Sequence, residues 1–281
     1  MTYATTPRPR HIRIGTSSYI LPDHILPNIR YLAPKVDDVE LIFFETPDAS
    51  NMPTPPELDE LRQLALDHQL TYTVHLPLDA ALGHADSAIR SRSIEQCLKV
   101  MTLTEPLEPF ACVLHLLAPD SAPDTPPTHA PVMPPGAFAR WQEALDRSLA
   151  ELKQRAPAMP ICVETLAYPF EWVADLVTQH RLNVCLDIGH LLLTGQDVET
   201  AIRRYGAQTR VIHLHGIENG VDHKHIGALD PALLDRLFTW LADDPVERVL
   251  TMEVFSQPDF LKSMETLSRC LKRQTDEDGT A

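Results

Sequence analysis

The chain has 281 residues, 44% hydrophobic and 22% charged, a composition that suits a folded globular protein and excludes a disordered one. With 24 Lys and Arg against 39 Asp and Glu, the formal net charge is −15. That balance works against a long, sequence-independent grip on nucleic acid and against docking on an anionic membrane.

The ten glycines spell neither GxGxxG nor GxxxxGK[ST], so neither common phosphate-cradling loop is present. Cys97, Cys112, Cys162, Cys185 and Cys270 form no CxxC pair and read as free thiols in a reducing compartment. Residues 1–10 lack the apolar stretch of a signal peptide. No apolar run reaches the ~18 residues of a membrane span. The expected location is cytoplasmic.

In chain order the sequence predicts strand 12–19, helix 23–33, strand 39–45, helix 56–69, strand 71–77, helix 87–104, strand 111–117 and helix 137–155. The alternation continues with strand 161–166, helix 169–180, strand 183–188, helix 197–205, strand 210–217, helix 229–242, strand 248–255 and helix 258–273. Helix starts carry Pro or acidic residues (Pro55-Pro56-Glu57, Asp197, Asp230-Pro231, Pro258-Asp259), which suit a first turn. Eight β-then-α units fit an α/β (β/α)8 TIM barrel, a fold of usually ~250 residues. An open doubly wound sheet is the runner-up, and it often has a Gly-rich first turn, which this chain lacks. The expectation is one domain over 1–281, with tails at 1–10 and 274–281. A Pro-rich insertion at 118–136, with seven prolines, follows the fourth strand at the barrel mouth.

Polar side chains fall at the ends of the predicted strands. The third ends in His75, the fourth in His115, the fifth in Glu164 and the sixth in Asp187-x-x-His190. The seventh carries His213 and His215, and the eighth Glu253. A lone strand-end His is more often structural than a ligand. A carboxylate among Cys, Val, Leu and Ile, however, needs a cation or strong hydrogen bonds. In a closed barrel six such strand ends converge on one mouth. Imidazole and carboxylate without thiolate favour Zn, Mn, Fe or Co, and the surplus of ligands allows two or three divalent ions. The His/Asp-rich segment Asn219 to Gly227 would overhang the same mouth.

The order His, His, Glu, Asp-x-x-His, His, loop His, Glu resembles the xylose-isomerase-like barrel superfamily, which includes endonuclease IV-type apurinic endonucleases and ketose epimerases. The resemblance implies metal ligands at His75, His115, Glu164, Asp187, His190, His213, His223 and Glu253. Those endonucleases have Asp-x-His in the loop; here Asp222 is one residue displaced, so the third ion's ligand set departs from the pattern. Epimerase-like members hold one ion at positions matching Glu164, Asp187, His213 and Glu253, so the core ligands alone do not separate hydrolase from isomerase.

A narrower match, Arg13-Ile-Gly-Thr-Ser-Ser-Tyr19-Ile-Leu-Pro22 with Val36-Asp-Asp-Val-Glu-Leu41, resembles cobamide-remodelling phosphodiesterases. These hydrolyse the nucleotide loop of B12-type corrinoids to cobinamide phosphate and the lower-base riboside. The resemblance implies a small-molecule cobamide substrate, with Glu164, Asp187 and Glu253 as the catalytic carboxylates. Thr16, Ser17, Tyr19, His215, Asp222, Lys224 and His225 are expected substrate contacts, and Lys224 could neutralise phosphate charge. The competing readings are a one-metal sugar isomerase or epimerase, an apurinic endonuclease, and a non-enzymatic binding barrel. No nucleic-acid or membrane partner is expected, and the oligomeric state is left open.

Overall fold

The computed structural model describes residues 11–45, 50–119 and 134–278, with side chains described as far as 273. The central part of the Pro-rich segment, 120–133, lies outside the described residues, as do 1–10 and 279–281.

Strands β1 (Ile12–Ser17), β2 (Asp38–Ile42), β3 (Thr71–His75), β4 (Ala111–Leu114), β5 (Ile161–Glu164), β6 (Asn183–Asp187) and β7 (Thr209–Leu214) alternate with helices. A hairpin follows, β8 (Gly216–Glu218) and β9 (Val221–Lys224), and then the last barrel strand, β10 (Arg248–Met252). The eight barrel strands are all parallel and close in the order β1-β10-β7-β6-β5-β4-β3-β2. The expected TIM barrel is therefore the observed fold.

Helices α1 (Ile25–Leu32), α2 (Pro55–His68), α3 (Ser87–Thr104), α4 (Ala137–Arg155) and α5 (Glu171–Gln179) follow the first five strands. After β6 come α6 (Ile188–Leu193) and α7 (Val198–Tyr205); α8 (Pro231–Asp243) and α9 (Gln257–Asp278) complete the ring. Their starts follow the sequence signals. Thr54 and Glu57 form a capping box on α2. Asp197 caps Thr200 N–H on α7, and Asp230 caps Ala232 N–H on α8.

Three elements differ from expectation. The predicted strand 210–217 stops at Leu214, and the chain folds back as the β8–β9 hairpin. Helix α6 is additional and places Asp187 at its N-cap. Helix α9 runs past Arg273 to Asp278, into residues expected to form the tail.

Strand alternation sorts the side chains into two cores. Val163, Val184, Leu186, Ile212 and Leu250 face the helices in the large outer core. Ala111, Val113, Cys162, Cys185 and Val211 form a small separate core inside the barrel. All five cysteines are buried and unpaired. The next inward position along β4, β5, β6 and β7 is His115, Glu164, Asp187 or His213. A two-residue repeat that begins with small apolar side chains thus ends in metal-capable ones.

The floor of the barrel is pinned by Arg248, fully buried on β10. Its Nη2 donates to Gly206 O and Asp244 Oδ2, both at 2.9 Å, and its Nε donates to Thr209 O at 3.1 Å. Truncating it strands those acceptors, so Arg248→Ala should cost about 3 kcal/mol in urea unfolding.

Candidate metal centre

The strand ends converge. Glu164 is fully buried at the end of β5, and four imidazoles surround its carboxylate. Its Oε2 lies 3.0 Å from His115 Nε2, 3.4 Å from His75 Nε2 and 3.7 Å from His213 Nδ1. Its Oε1 lies 3.2 Å from His190 Nδ1. His75 donates Nδ1–H to Leu76 O at 2.8 Å, so the Nε2 that faces Glu164 carries the lone pair in the neutral ring. A lone pair opposite a carboxylate oxygen needs a cation or a proton between them.

His213 is oriented in the same way from the other side. Its Nε2–H donates to Glu40 Oε2 at 2.8 Å, a buried pair. Its Nδ1 then faces Glu253 Oε2 at 3.2 Å and Asp187 Oδ2 at 3.7 Å. Asp187 Oδ1 accepts the His190 N–H at 2.7 Å, the N-cap bond of α6, which leaves Oδ2 for the cluster. His213 Nδ1, Asp187 Oδ2 and Glu253 Oε2 are buried and have no hydrogen-bond partner. Ligand atoms sharing one ion at ~2.1 Å sit roughly 3.0–3.4 Å apart. Orphaned atoms at nearly this spacing, with nitrogen and carboxylate oxygen as donors, fit a divalent ion. His75 with His115 and Glu164, and Glu164 with Asp187 and His190, form further groups whose ligand atoms lie within 4.8 Å of one another.

Glu40 escaped the sequence reading, although its signal was present. It is a carboxylate in the apolar run Val39-Glu40-Leu41, the same signature that marked Glu164. It is a positioning residue, since it holds His213 by the nitrogen that does not face the cluster. Partners of this kind are worth about 10–100-fold in metal affinity, so Glu40→Gln should weaken Co²⁺ binding on that scale in a competition titration.

The ion-free cluster gathers protons. Burial lowers the basicity of His75, but the Glu164 hydrogen bond and the Glu40 and Glu164 charges outweigh it and lift the pKa to about 9. For His190 the Asp187 charge and the Glu164 contacts overcome burial and lift it to about 10. Glu253, despite burial, is held at about 2 by the His213 and His223 charges. A ligand imidazole must be neutral, so at pH 7 a cation must displace these protons. Apparent metal affinity should therefore rise with pH and level off above about 10. Proton release on metal addition, followed in weakly buffered solution at pH 7, should exceed one proton per chain.

Other expected contacts divide. Thr16 Oγ1 donates to Met252 O at 2.8 Å and Ser17 Oγ to Val254 O at 2.6 Å, both buried. These hydroxyls bind carbonyls at and just beyond the end of β10, across the seam where β1 meets it. Tyr19 is half-buried, and its hydroxyl accepts from Asn51 Nδ2. His215 is fully buried, with Nε2 3.3 Å from Asp187 Oδ1. His223 Nδ1 lies 3.6 Å from Glu253 Oε2, and its ring packs against Phe255. Asp222 Oδ2 lies 3.8 Å from His223 Nε2. His225 Nε2 lies 3.4 Å from Glu218 Oε1, and Lys224 is half-buried on β9 opposite Gly216.

A closed parallel barrel with a His/carboxylate cluster at the C-terminal ends of its strands defines the class: a TIM barrel whose mouth offers ligand groups that could hold a divalent metal. The chain belongs to the xylose isomerase-like TIM barrel family, whose model matches residues 35–273. It is similar in fold to a D-tagatose 3-epimerase-like protein (TM-score 0.72, 18% identity, covering 94% of this chain and 99% of that one). A 3-keto-D-glucoside 4-epimerase from E. coli gives TM-score 0.69 at 15% identity, covering 92% and 98%. Endonuclease IV from Thermus thermophilus gives 0.67 at 19%, covering 93% and 99%. No curated protein matches the sequence. Among the described residues no helix is long and apolar enough to cross a membrane.

Proposed function

We propose that this protein is a metal-dependent phosphodiesterase that hydrolyses the nucleotide loop of cobamides, releasing cobinamide phosphate and the lower-base riboside. One observation carries the reading: Glu164 Oε2 faces His75 and His115 on one side and His213 on the other. A carboxylate shared by two cation pockets is the arrangement that in-line phosphoryl displacement uses. Two or three ions (Zn, Mn, Fe or Co) would be held by His75, His115, Glu164, Asp187, His190, His213, His223 and Glu253. Bound ions would supply Lewis acidity, polarising a phosphoryl oxygen and acidifying water.

The chain's own residues do the rest. Glu164, Asp187 and Glu253 supply the negative charge that fixes the ions, and Glu40 keeps His213 turned toward them. Lys224 is the side chain assigned to the phosphate charge, with Tyr19, Asp222 and His225 as further substrate contacts. Phe44, Leu78, Val221 and Phe255 are exposed, and they follow the ends of β2, β3 and β10 or sit on the hairpin after β7. An apolar arc beside a polar cluster favours a ligand with a broad apolar body, as a corrinoid has. The net charge of −15 favours a small molecule over nucleic acid. Five unpaired buried thiols support a reducing, cytoplasmic setting.

Hydrolysis adds water across the bond between phosphorus and the ribose oxygen. Run in ¹⁸O-water, the reaction should label the phosphate of cobinamide phosphate; label in the riboside, or no cleavage, counts against the reading. A single-ion ketose epimerase is the second reading, supported by the inner set Glu164, Asp187, His213 and Glu253 and by the epimerase-like folds. It predicts one ion per chain and ketose turnover.

A further inference from the structure

Three imidazoles, His190, His215 and His223, bring ring nitrogens within 4.8 Å of one another, and the simplest assignment gives them a cation of their own. We propose instead that His215 binds no cation and is a positioning residue, whose ring fixes the Asp187 carboxylate and ties it to the β8–β9 hairpin. This rests on reading Asp187 as a metal ligand.

The tautomer decides the role. His215 Nδ1 accepts the backbone N–H of His223 at 3.0 Å. A ring nitrogen that accepts carries no proton, so in the neutral imidazole the proton is on Nε2. A protonated Nε2 has no lone pair for a metal. It faces Asp187 Oδ1 at 3.3 Å and has no formed hydrogen bond to any group. Oδ1 accepts the His190 N–H, so one oxygen of the carboxylate is held by the α6 backbone and faced by the His215 ring. The other oxygen, Oδ2, is the one turned toward His213 Nδ1 and His190 Nδ1.

Two backbone features are built around this ring. Gly189, in the first turn of α6, leaves it room: a Cβ there would stand 2.0 Å from His215 Cε1 and 2.4 Å from Nε2. His223 adopts φ +53°, a left-handed conformation unfavourable for a residue with a Cβ, and it is the residue whose N–H reaches His215. A glycine that only the ring explains and a strained residue that supplies its donor both point to a fixed imidazole. The link also makes the hairpin's position and the ligand's orientation one mechanical unit.

Co²⁺ binding to the full chain tests this, read as ions per chain, affinity and the visible Co²⁺ spectrum, with thermal melts of the metal-free variants as a folding check. His215→Ala should keep the wild-type number of ions while losing about 10–100-fold in affinity. His215→Gln, whose amide N–H can replace Nε2–H, should recover most of that loss. Gly189→Ala should resemble His215→Ala. One ion fewer per chain in His215→Ala or His215→Gln would make His215 a ligand and overturn the proposal. Unchanged affinity and spectrum in His215→Ala would overturn it as well. A wild-type chain that takes up no Co²⁺ would overturn the metal-centre reading itself, a separate and recognisable failure.

Discussion

Glu164→Gln should abolish function. The amide keeps the shape of the side chain but removes the charge facing His75, His115, His190 and His213. Both sides of the cluster lose their common ligand, so the loss should exceed the 10–100-fold of an outer partner and reach about 10³-fold in kcat/KM. Bound metal should fall with it. The barrel should still fold on its untouched outer core, but the metal-free variant should melt lower, because the imidazoles around Glu164 lose their buried counter-charge. Activity assays, metal content and a thermal melt on one preparation check all three points. A Glu164→Gln protein with wild-type metal content and turnover would remove Glu164 from the centre.

Paired substitution of His75 and His115 should separate the two enzymatic readings. These rings stand 4.8 Å apart, centre to centre, on β3 and just after β4, and only Glu164 among the inner carboxylates pairs with them. Removing both leaves Asp187, His213 and Glu253 with their contacts intact. The His75→Ala/His115→Ala chain should bind at least one ion fewer, and phosphodiester cleavage should drop by about 10²-fold or more. A one-ion epimerase would keep its ketose turnover nearly unchanged. Metal analysis beside two substrate assays gives the result.

Much of this was legible because barrels convert sequence order into position. The two-residue alternation of β5 and β6 sends Cys162, Glu164, Cys185 and Asp187 inward and Val163, Val184 and Leu186 outward. A carboxylate at the last inward position therefore reaches the mouth whatever the rest of the chain does. Glu40 obeys the same inward alternation, but it lies near the start of its predicted strand, 39–45, and not at the strand end where the other ligands fall. His215 follows His213 by two residues and shares its face by the same alternation, but its partner is not deducible from spacing. Its acceptor role depends on the N–H of His223, and that contact exists only because the chain folds back at Asn219-Gly220 into the β8–β9 hairpin.

Thr16 and Ser17 show a setting that spacing alone does not give. A hydroxyl at a strand end near an active mouth invites a substrate role, yet the seam between β1 and β10 uses both on carbonyls. Closure of a barrel makes the first and last strands neighbours, but spacing does not reveal that these hydroxyls turn to the carbonyls of that last strand. The Asp222 displacement had a similar root. Local spacing governed the expected third site, whereas the hairpin's left-handed turn at His223 governs which side chains approach Glu253.

The most direct measurement of the central claim is product analysis by mass spectrometry. Metal-loaded protein would be incubated with adenosylcobalamin or pseudocobalamin, with Mn²⁺, Zn²⁺, Fe²⁺ or Co²⁺ present, and in parallel with a panel of ketoses. The expected result is cobinamide phosphate and the lower-base riboside in equal amounts, no ketose turnover, and loss of both products in Glu164→Gln. Intact cobamide under every metal, together with epimerised ketose, would contradict it.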